Sequence, residues 1–399
     1  MILFDYDKAV HLMERWGVDL LLPHTLLNAG YLADHWKHDL YTSIGAHTTF
    51  DQDEPYQLFV GLPRDRKIDP FITCRRASEE GDMHTWGMWI EDRRVWGLDE
   101  RPRSLNSPLP PVTGEMYATP YEAVAAALKE RGLAGASIGV ERRYLGVEGY
   151  EKLQRLLPEA QLREVLGLFL ELRVVKSEEE VRRMQCAAQA TQQALEVTVE
   201  TLQPGMTGLD LESLIGAEHY RAGARHEWIH TQIGPQGIDV VGPSPQEIKI
   251  GDVVRIDTGC SYRHYRSDFG LMIAVGEPSK ELLQIYGAVR PAMDAVLEAL
   301  RPGVSARQLF EIGNRILERE GFESYLMYFG HGIGRNGHEE PVLAADSKWV
   351  LEENMTIAIE LVTVRPALGM VALEDIVVIT SDGHEDLSTI GRELYIVEA

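Results

Sequence analysis

Five residues in the C-terminal half of the chain have types and spacing that could do chemistry together. Asp257 ends the apolar run "VVRID", and Asp268 follows eleven positions later in "SDFG". His331 lies in "GHGIG", Glu360 in "TIAIELV" and Glu374 in "VALED". Taken singly, each has a plainer reading. Asp257 before Thr-Gly is a turn aspartate, Asp268 a solvated loop acid, His331 a surface histidine and Glu374 a strand-end acid. Glu360 resists such a reading, because both its flanks are apolar. An ionised carboxylate buried alone costs several kcal/mol, and the surrounding sequence offers few cations to offset it. Four carboxylates and one imidazole suit hard or borderline divalent ions such as manganese or cobalt better than a thiolate-seeking ion. Two such ions ~3.5–4 Å apart can share a bridging hydroxide.

"DTG" after an apolar strand is also the signature of aspartic proteases. Those enzymes need two such motifs, so that two carboxylates share one proton. The nearest second candidate, "ITSDG", places serine before the aspartate, and that reading is set aside.

Acids that must converge within a fraction of an ångström belong on rigid elements, and three of the four acids interrupt or end strand-like runs. The elements around them predict an α+β chain. Residues 1–170 read as a small mixed α/β domain: "FDYDKAVHLMERWGVDLLLP" as a helix then a strand, "PYQLFVGLP" as a strand, "EMYATPYEAVAAALKERGL" as a helix with a glycine stop, and "ASIGVERRYLG" as a strand. "RPRSLNSPLPPVTG" reads as a surface connection. Ser177 with Glu180 forms a capping box that starts a long helix. Residues 171–399 then form one catalytic-sized domain. Within it, "ALEVTVETLQPGMTGLDLESLIGAEHYRAG" and "AVLEALRPGVSARQLFEIGNRILEREG" share a helix, a Leu-x-Pro-Gly turn at Pro204 or Pro302, a Thr or Ser cap and a second helix. The pattern predicts a duplicated unit folding over one sheet.

The ordered set Asp257, Asp268, His331, Glu360, Glu374, with "GHGIGRNGHEEP" and "LED", resembles the metal site of the pita-bread metallopeptidases. The resemblance covers roughly residues 170 to 399. That group includes methionine aminopeptidase, Xaa-Pro aminopeptidase, Xaa-Pro dipeptidase and creatinase-type amidinohydrolases. The first domain, for example at "NAGYL" from Asn28, resembles the creatinase/prolidase N-terminal domain and favours that branch. The resemblance implies a curved antiparallel sheet with helices outside and two divalent ions inside, Mn²⁺ first with Co²⁺ or Zn²⁺ as alternatives. It implies that Asp257, Asp268, His331, Glu360 and Glu374 ligate the metals, that Glu360 shuttles a proton, and that His338 bonds the oxyanion or substrate carbonyl. It implies hydrolysis of Xaa-Pro dipeptides by a homodimer. A small non-peptide or cyclic amide is the alternative substrate, and a non-enzymatic binding relative the remaining one.

The chain departs from the prolidase pattern where substrate is gripped. Val240 stands where a histidine is usual, Ala372 where an arginine is frequent, Met327 where a histidine is frequent, and Gly270 where a threonine is usual. His338, His230, Arg335 and Arg365 are the candidate substrate-binding residues, with Arg263 and Arg266 as further cations nearby. An arginine could take a dipeptide's free carboxylate as a bidentate pair.

The bulk properties agree. The 399 residues exceed one ordinary core. A formal net charge of −23 repels nucleic acid and anionic membrane surfaces. The acidic start, with Asp5 and Asp7, does not read as a secretory signal. No apolar run is long enough for a membrane span. Three dispersed cysteines form no CxxC pair, so a reducing cytoplasm is expected.

Overall fold

A computed structural model of the chain describes residues 2–34, 58–75, 88–97, 115–235 and 242–398. The chain divides into two compact units, Met1–Arg173 and Val174–Ala399. The Pro-rich segment at 101–114 and Val240 lie outside the described residues.

The first unit builds from α1 (Tyr6–Trp16), β1 (Leu20–Leu21), α2 (Leu26–Ala33), β2 (Val60–Pro63), β3 (Phe71–Arg75), β4 (Asp92–Trp96), α3 (Pro120–Glu130), β5 (Ser137–Val140), α4 (Arg142–Leu156), β6 (Gln161–Glu164) and α5 (Leu166–Val174). Its mixed six-stranded sheet runs β4-β3-β2-β1-β5-β6. Local chemistry sets the ends. Asp5 and Thr25 cap α1 and α2 through their side chains, and Gly17, at φ 65°, closes α1 in the left-handed region. The segment "ASIGVERRYLG" departs from the expected single strand: β5 stops at Val140 and α4 begins at Arg142. The physical reason is Glu141, wholly buried between the two elements. Its carboxylate accepts from the backbone N–H of His24 (2.8 Å) and Thr25 (2.9 Å), from Thr25 Oγ1 (2.7 Å) and from Asn28 Nδ2 (2.6 Å).

The second unit contains α6 (Glu178–Thr201), α7 (Gly208–Arg221), β7 (Arg225–Ile233), β8 (Val253–Tyr262), β9 (Tyr265–Arg266), β10 (Phe269–Val275), α8 (Lys280–Ala299), α9 (Ala306–Arg319), β11 (Tyr328–Gly332), β12 (Glu339–Ala344), β13 (Thr356–Arg365), β14 (Gly369–Ile379), β15 (His384–Asp386) and β16 (Tyr395–Val397). The expected capping box is present: Ser177 Oγ accepts from the Glu180 N–H while Glu180 accepts from the Ser177 N–H.

The main sheet has the order β12-β11-β13-β14-β10-β8-β7. Its centre is symmetric: β7, β8 and β10 on one side answer β11, β13 and β14 on the other. The helix pairs repeat as well. Thr207 and Ser305 cap α7 and α9 with reciprocal boxes to Asp210 and Gln308. Gly205 and Gly303, at φ 94° and 86°, donate to the carbonyls of Ile248 (2.8 Å) and Leu351 (2.9 Å). Positive φ is required at both turns, which is why each carries Pro-Gly. Nine residues beyond Ile248 is Asp257, and nine beyond Leu351 is Glu360.

Strand alternation separates the two faces. Ile357, Ile359, Leu361, Val371 and Leu373 join the core formed with α8 and α9. Each fully buried aliphatic side chain there contributes roughly 1.5–3 kcal/mol. The intervening positions, Glu360 and Glu374 among them, face the other way. Among the described residues no helix is long and apolar enough to cross a membrane.

Candidate metal centre

One lateral row across the sheet carries much of the site. His230 on β7 pairs with Asp257 on β8, Asp257 with Gly270 on β10, Gly270 with Glu374 on β14, and Glu374 with Glu360 on β13. Gly270 is a close point in the row, since a Cβ there would sit 3.0 Å from Glu374 Cβ. Asp268 precedes β10 by one residue, and β11 delivers His331. All five sequence-predicted ligand candidates line a single cavity of about 400 Å³. Asp268, His331 and Glu374 offer ligand atoms within 4.8 Å of one another, as do Asp257, Glu360 and Glu374.

The five residues are less than 9 % exposed. The carboxyls of Asp268 and Glu374 are held well above the usual range, by burial first and by neighbouring acids second. Glu360 is pushed up to about 7 by burial and by Asp257, against the opposing pull of Arg255. Mutual repulsion of this kind, in a buried cluster, is what a cation relieves.

His331 supplies the most direct test of fit. Its Nδ1 lies 3.1 Å from the carbonyl of Gly332, which sets the proton on Nδ1. Its Nε2 is then a bare acceptor, buried and without a hydrogen-bond partner. It lies 4.0 Å from Asp268 Oδ2 and 4.0 Å from Glu374 Oε1. That is too long for a hydrogen bond. It leaves the three groups around a space that a shared ion would draw together. Burial, first, and His338, second, lower its pKa to about 4, so the ring is neutral and ligand-competent at neutral pH. The residues present therefore fit divalent ions.

Arg255 was missed in the sequence, where the acids were read as short of cations. It is 2 % exposed, and its Nη2 donates to Asp257 Oδ2 at 2.8 Å and lies 4.0 Å from Glu360 Oε1. The readable signal was position: two residues before Asp257 on one strand, Arg255 must share its face. Tyr328 was also missed; it lines the cavity, and burial raises its pKa. Trp228 Nε1 lies 3.4 Å from Asp257 Oδ1.

Among the candidate substrate-binding residues, His338 and His230 line the cavity, and Arg335 and Arg365 do not. The His338 ring stacks on His331 at 3.8 Å between centroids. Arg335 is buried, with its guanidinium over the Tyr265 ring at 5.8 Å. Arg365, at the end of β13, lies over Phe322 at 4.5 Å and donates to the carbonyls of Val364 and Gly321. Arg263 sits in the β8–β9 turn over Tyr262. Arg266 does line the cavity. Ala372 is buried with Val362 and Met370, and Met327 is exposed.

Residues 182–381 match metallopeptidase family M24, and residues 79–175 match the creatinase/prolidase N-terminal domain. The chain is similar to a Xaa-Pro dipeptidase of Pyrococcus furiosus, 30% identical over 264 residues, which span 63% of this chain and 75% of that protein. It is similar to one of Lactobacillus helveticus, 29% identical over 284 residues, spanning 70% and 77%. A solved Xaa-Pro dipeptidase from Bacillus anthracis superposes with a TM-score of 0.81 at 23% identity, covering 98% of this chain and 99% of that one, and so shares the pita-bread fold. A buried acid-rich cavity on that fold, together with the match over half the chain, gives the conclusion that this protein belongs to metallopeptidase family M24.

Proposed function

We propose that this protein hydrolyses Xaa-Pro dipeptides with two divalent metal ions held by Asp257, Asp268, His331, Glu360 and Glu374. The observation that carries the reading is the unpartnered, buried Nε2 of His331 aimed between Asp268 and Glu374. The names of the similar proteins support the substrate class. Glu374 belongs to both groups of donors and would serve both ions, with Asp268 and His331 on one side and Asp257 and Glu360 on the other. Bound ions would supply Lewis acidity toward the scissile carbonyl and lower the pKa of a water molecule. Manganese suits this carboxylate-rich set, with cobalt or zinc as substitutes.

The chain's own residues divide the remaining work. Glu360, a carboxylate lining the cavity, takes up a proton and returns it to the leaving nitrogen. Arg255 holds Asp257 in place and keeps a permanent positive charge beside it. His338, an exposed residue that lines the cavity and stacks on His331, donates to the carbonyl oxygen as negative charge develops there. His230, opposite Asp257, borders the same space.

The test is a panel of Ala-Pro, Leu-Pro, longer Xaa-Pro peptides and cyclic amides, run after dialysis against chelator and again with added Mn²⁺. Xaa-Pro dipeptides are cleaved only with metal. Activity that survives complete metal removal, or cleavage of a cyclic amide with dipeptides left intact, overturns the proposal.

A further inference from the structure

Among the described residues lining the cavity, the cationic side chains are Arg255 and Arg266. Arg255 is committed to Asp257 and Glu360. Arg266 is held differently. Its side chain is 30% exposed, and the partner of its guanidinium among the described residues is Glu227, whose Oε2 lies 3.4 Å from Nη2. Glu227 is itself occupied, since Ser261 Oγ donates to its other oxygen at 2.6 Å. The guanidinium lies over the Trp228 ring, 5.9 Å from its centroid. Nη1 lies 3.6 Å from where a Cβ on the cavity-lining Gly337 would stand. The group is thus braced by Glu227 and lines the cavity.

Its place along the chain matters. Ser267 turns into the interior, where its hydroxyl pairs with Thr191 Oγ1 at 2.7 Å. Arg266 and Asp268, on either side of it, therefore face the cavity together. Two residues of extended chain separate them by about 7 Å. A peptide whose scissile carbonyl sits at the acid cluster, with one residue beyond it, places its terminal carboxylate about 4 Å further along. A guanidinium side chain spans the difference.

We infer that Arg266 is the specificity residue that receives the substrate's C-terminal carboxylate and so restricts the site to peptides with one residue after the scissile bond. The inference rests on the dipeptide reading above. A free carboxylate takes two parallel N–H···O bonds from the fork. A longer peptide presents a neutral amide at that point, which cannot.

The experiment compares Ala-Pro with its C-terminal amide, Ala-Pro-NH2, and with Ala-Pro-Ala, using the Mn²⁺-loaded wild type, Arg266→Met and Arg266→Lys. The wild type prefers the free acid. In Arg266→Met, kcat/KM for the free acid falls about 10–100-fold, chiefly through KM, while the amide is unaffected. Arg266→Lys recovers part of the loss. An equal fall for acid and amide would assign Arg266 to bracing the 334–338 loop, where its backbone N–H donates to the Gly334 carbonyl, and would overturn the inference. So would an unchanged acid-over-amide preference in Arg266→Met. Calorimetry with proline and prolinamide separates this from the function itself. If the wild type cleaves no Xaa-Pro peptide, the dipeptide reading falls. Tighter binding of proline than prolinamide, lost in Arg266→Met, would still support the carboxylate site, and equal binding of the two would remove it.

Discussion

Two buried acid clusters in this protein meet the same cost in opposite ways. In the first unit Glu141, wholly buried, is surrounded by donors: two backbone N–H groups, a threonine hydroxyl and an asparagine amide. In the second unit Asp268 and Glu374 are as deeply placed, yet they face each other, two further acids and a bare imidazole nitrogen. The first arrangement is complete as it stands and holds α2 against the start of α4. The second is satisfied by Arg255 at one end only, and it is stable as an ionised cluster when cations enter. Burial of an acid is thus no sign of function by itself; the identity of its neighbours decides.

The contrast breaks most sharply at the acids themselves. Glu374→Gln is expected to lower dipeptidase activity by about 10³-fold or more, with loss of bound metal by elemental analysis. The same change should raise the melting temperature of the chelated protein, since a repelling charge is gone. A chelated Glu374→Gln protein that melts lower than wild type would contradict the account. Glu141→Ala is the converse. It strands four donors and should destabilise the fold by about 2–4 kcal/mol in denaturant titration, with metal stoichiometry unchanged. Loss of metal in a folded Glu141→Ala protein would erase the distinction between the clusters.

Arg255→Met sharpens the comparison, because Arg255 is the one feature of the second cluster that resembles the first. Metal affinity should fall about 10–100-fold, read by calorimetry, and the chelated protein should lose stability, opposite in sign to Glu374→Gln. Unchanged affinity would reduce Arg255 to packing.

The smallest effect is on pH. In the chelated protein Glu360 keeps its proton to about 7 when folded, against 4.5 for the free group. The folded state then holds more protons across that window, so stability falls as pH rises through it. Asp268 and Glu374, also raised, extend the loss upward. Seven histidines, His331 at about 4 among them, are lowered and act in the opposite direction up to about 6.5, so the buried acids set the trend only above that. Calorimetric scans from pH 7 to 8.5 should show the chelated protein's melting temperature falling by about 2–4 °C per kcal/mol lost, and Mn²⁺ should abolish the trend. A melting temperature that climbs with pH would oppose it.

How far this site is legible in the sequence follows from the range of each signal. The Ser177 box, the Pro-Gly turns at Pro204 and Pro302, and the acids interrupting β8, β13 and β14 are local patterns, and each stands where its neighbours dictate. Glu360 was visible because polar identity clashed with apolar flanks. Arg255 was equally local and was passed over, because the reading centred on the acid it neutralises. Arg335, Arg365 and Arg266 could not be ranked. Their chemistry is identical, and only tertiary packing sends one under Tyr265, one over Phe322 and one to the cavity. The end of β5 was lost for a related reason: Glu141 leaves the strand to meet donors more than a hundred residues away. Duplication was legible in the helix caps, whereas the row joining His230 to Glu360 depends on a strand register that no local pattern contains.

Anomalous diffraction at the manganese edge from Mn²⁺-loaded crystals tests the central claim most directly. The account predicts two peaks per chain, about 3.5–4 Å apart, with His331 Nε2, Asp268 and Glu374 around one and Asp257, Glu360 and Glu374 around the other. Saturating Mn²⁺ with no peak among these five residues would contradict it.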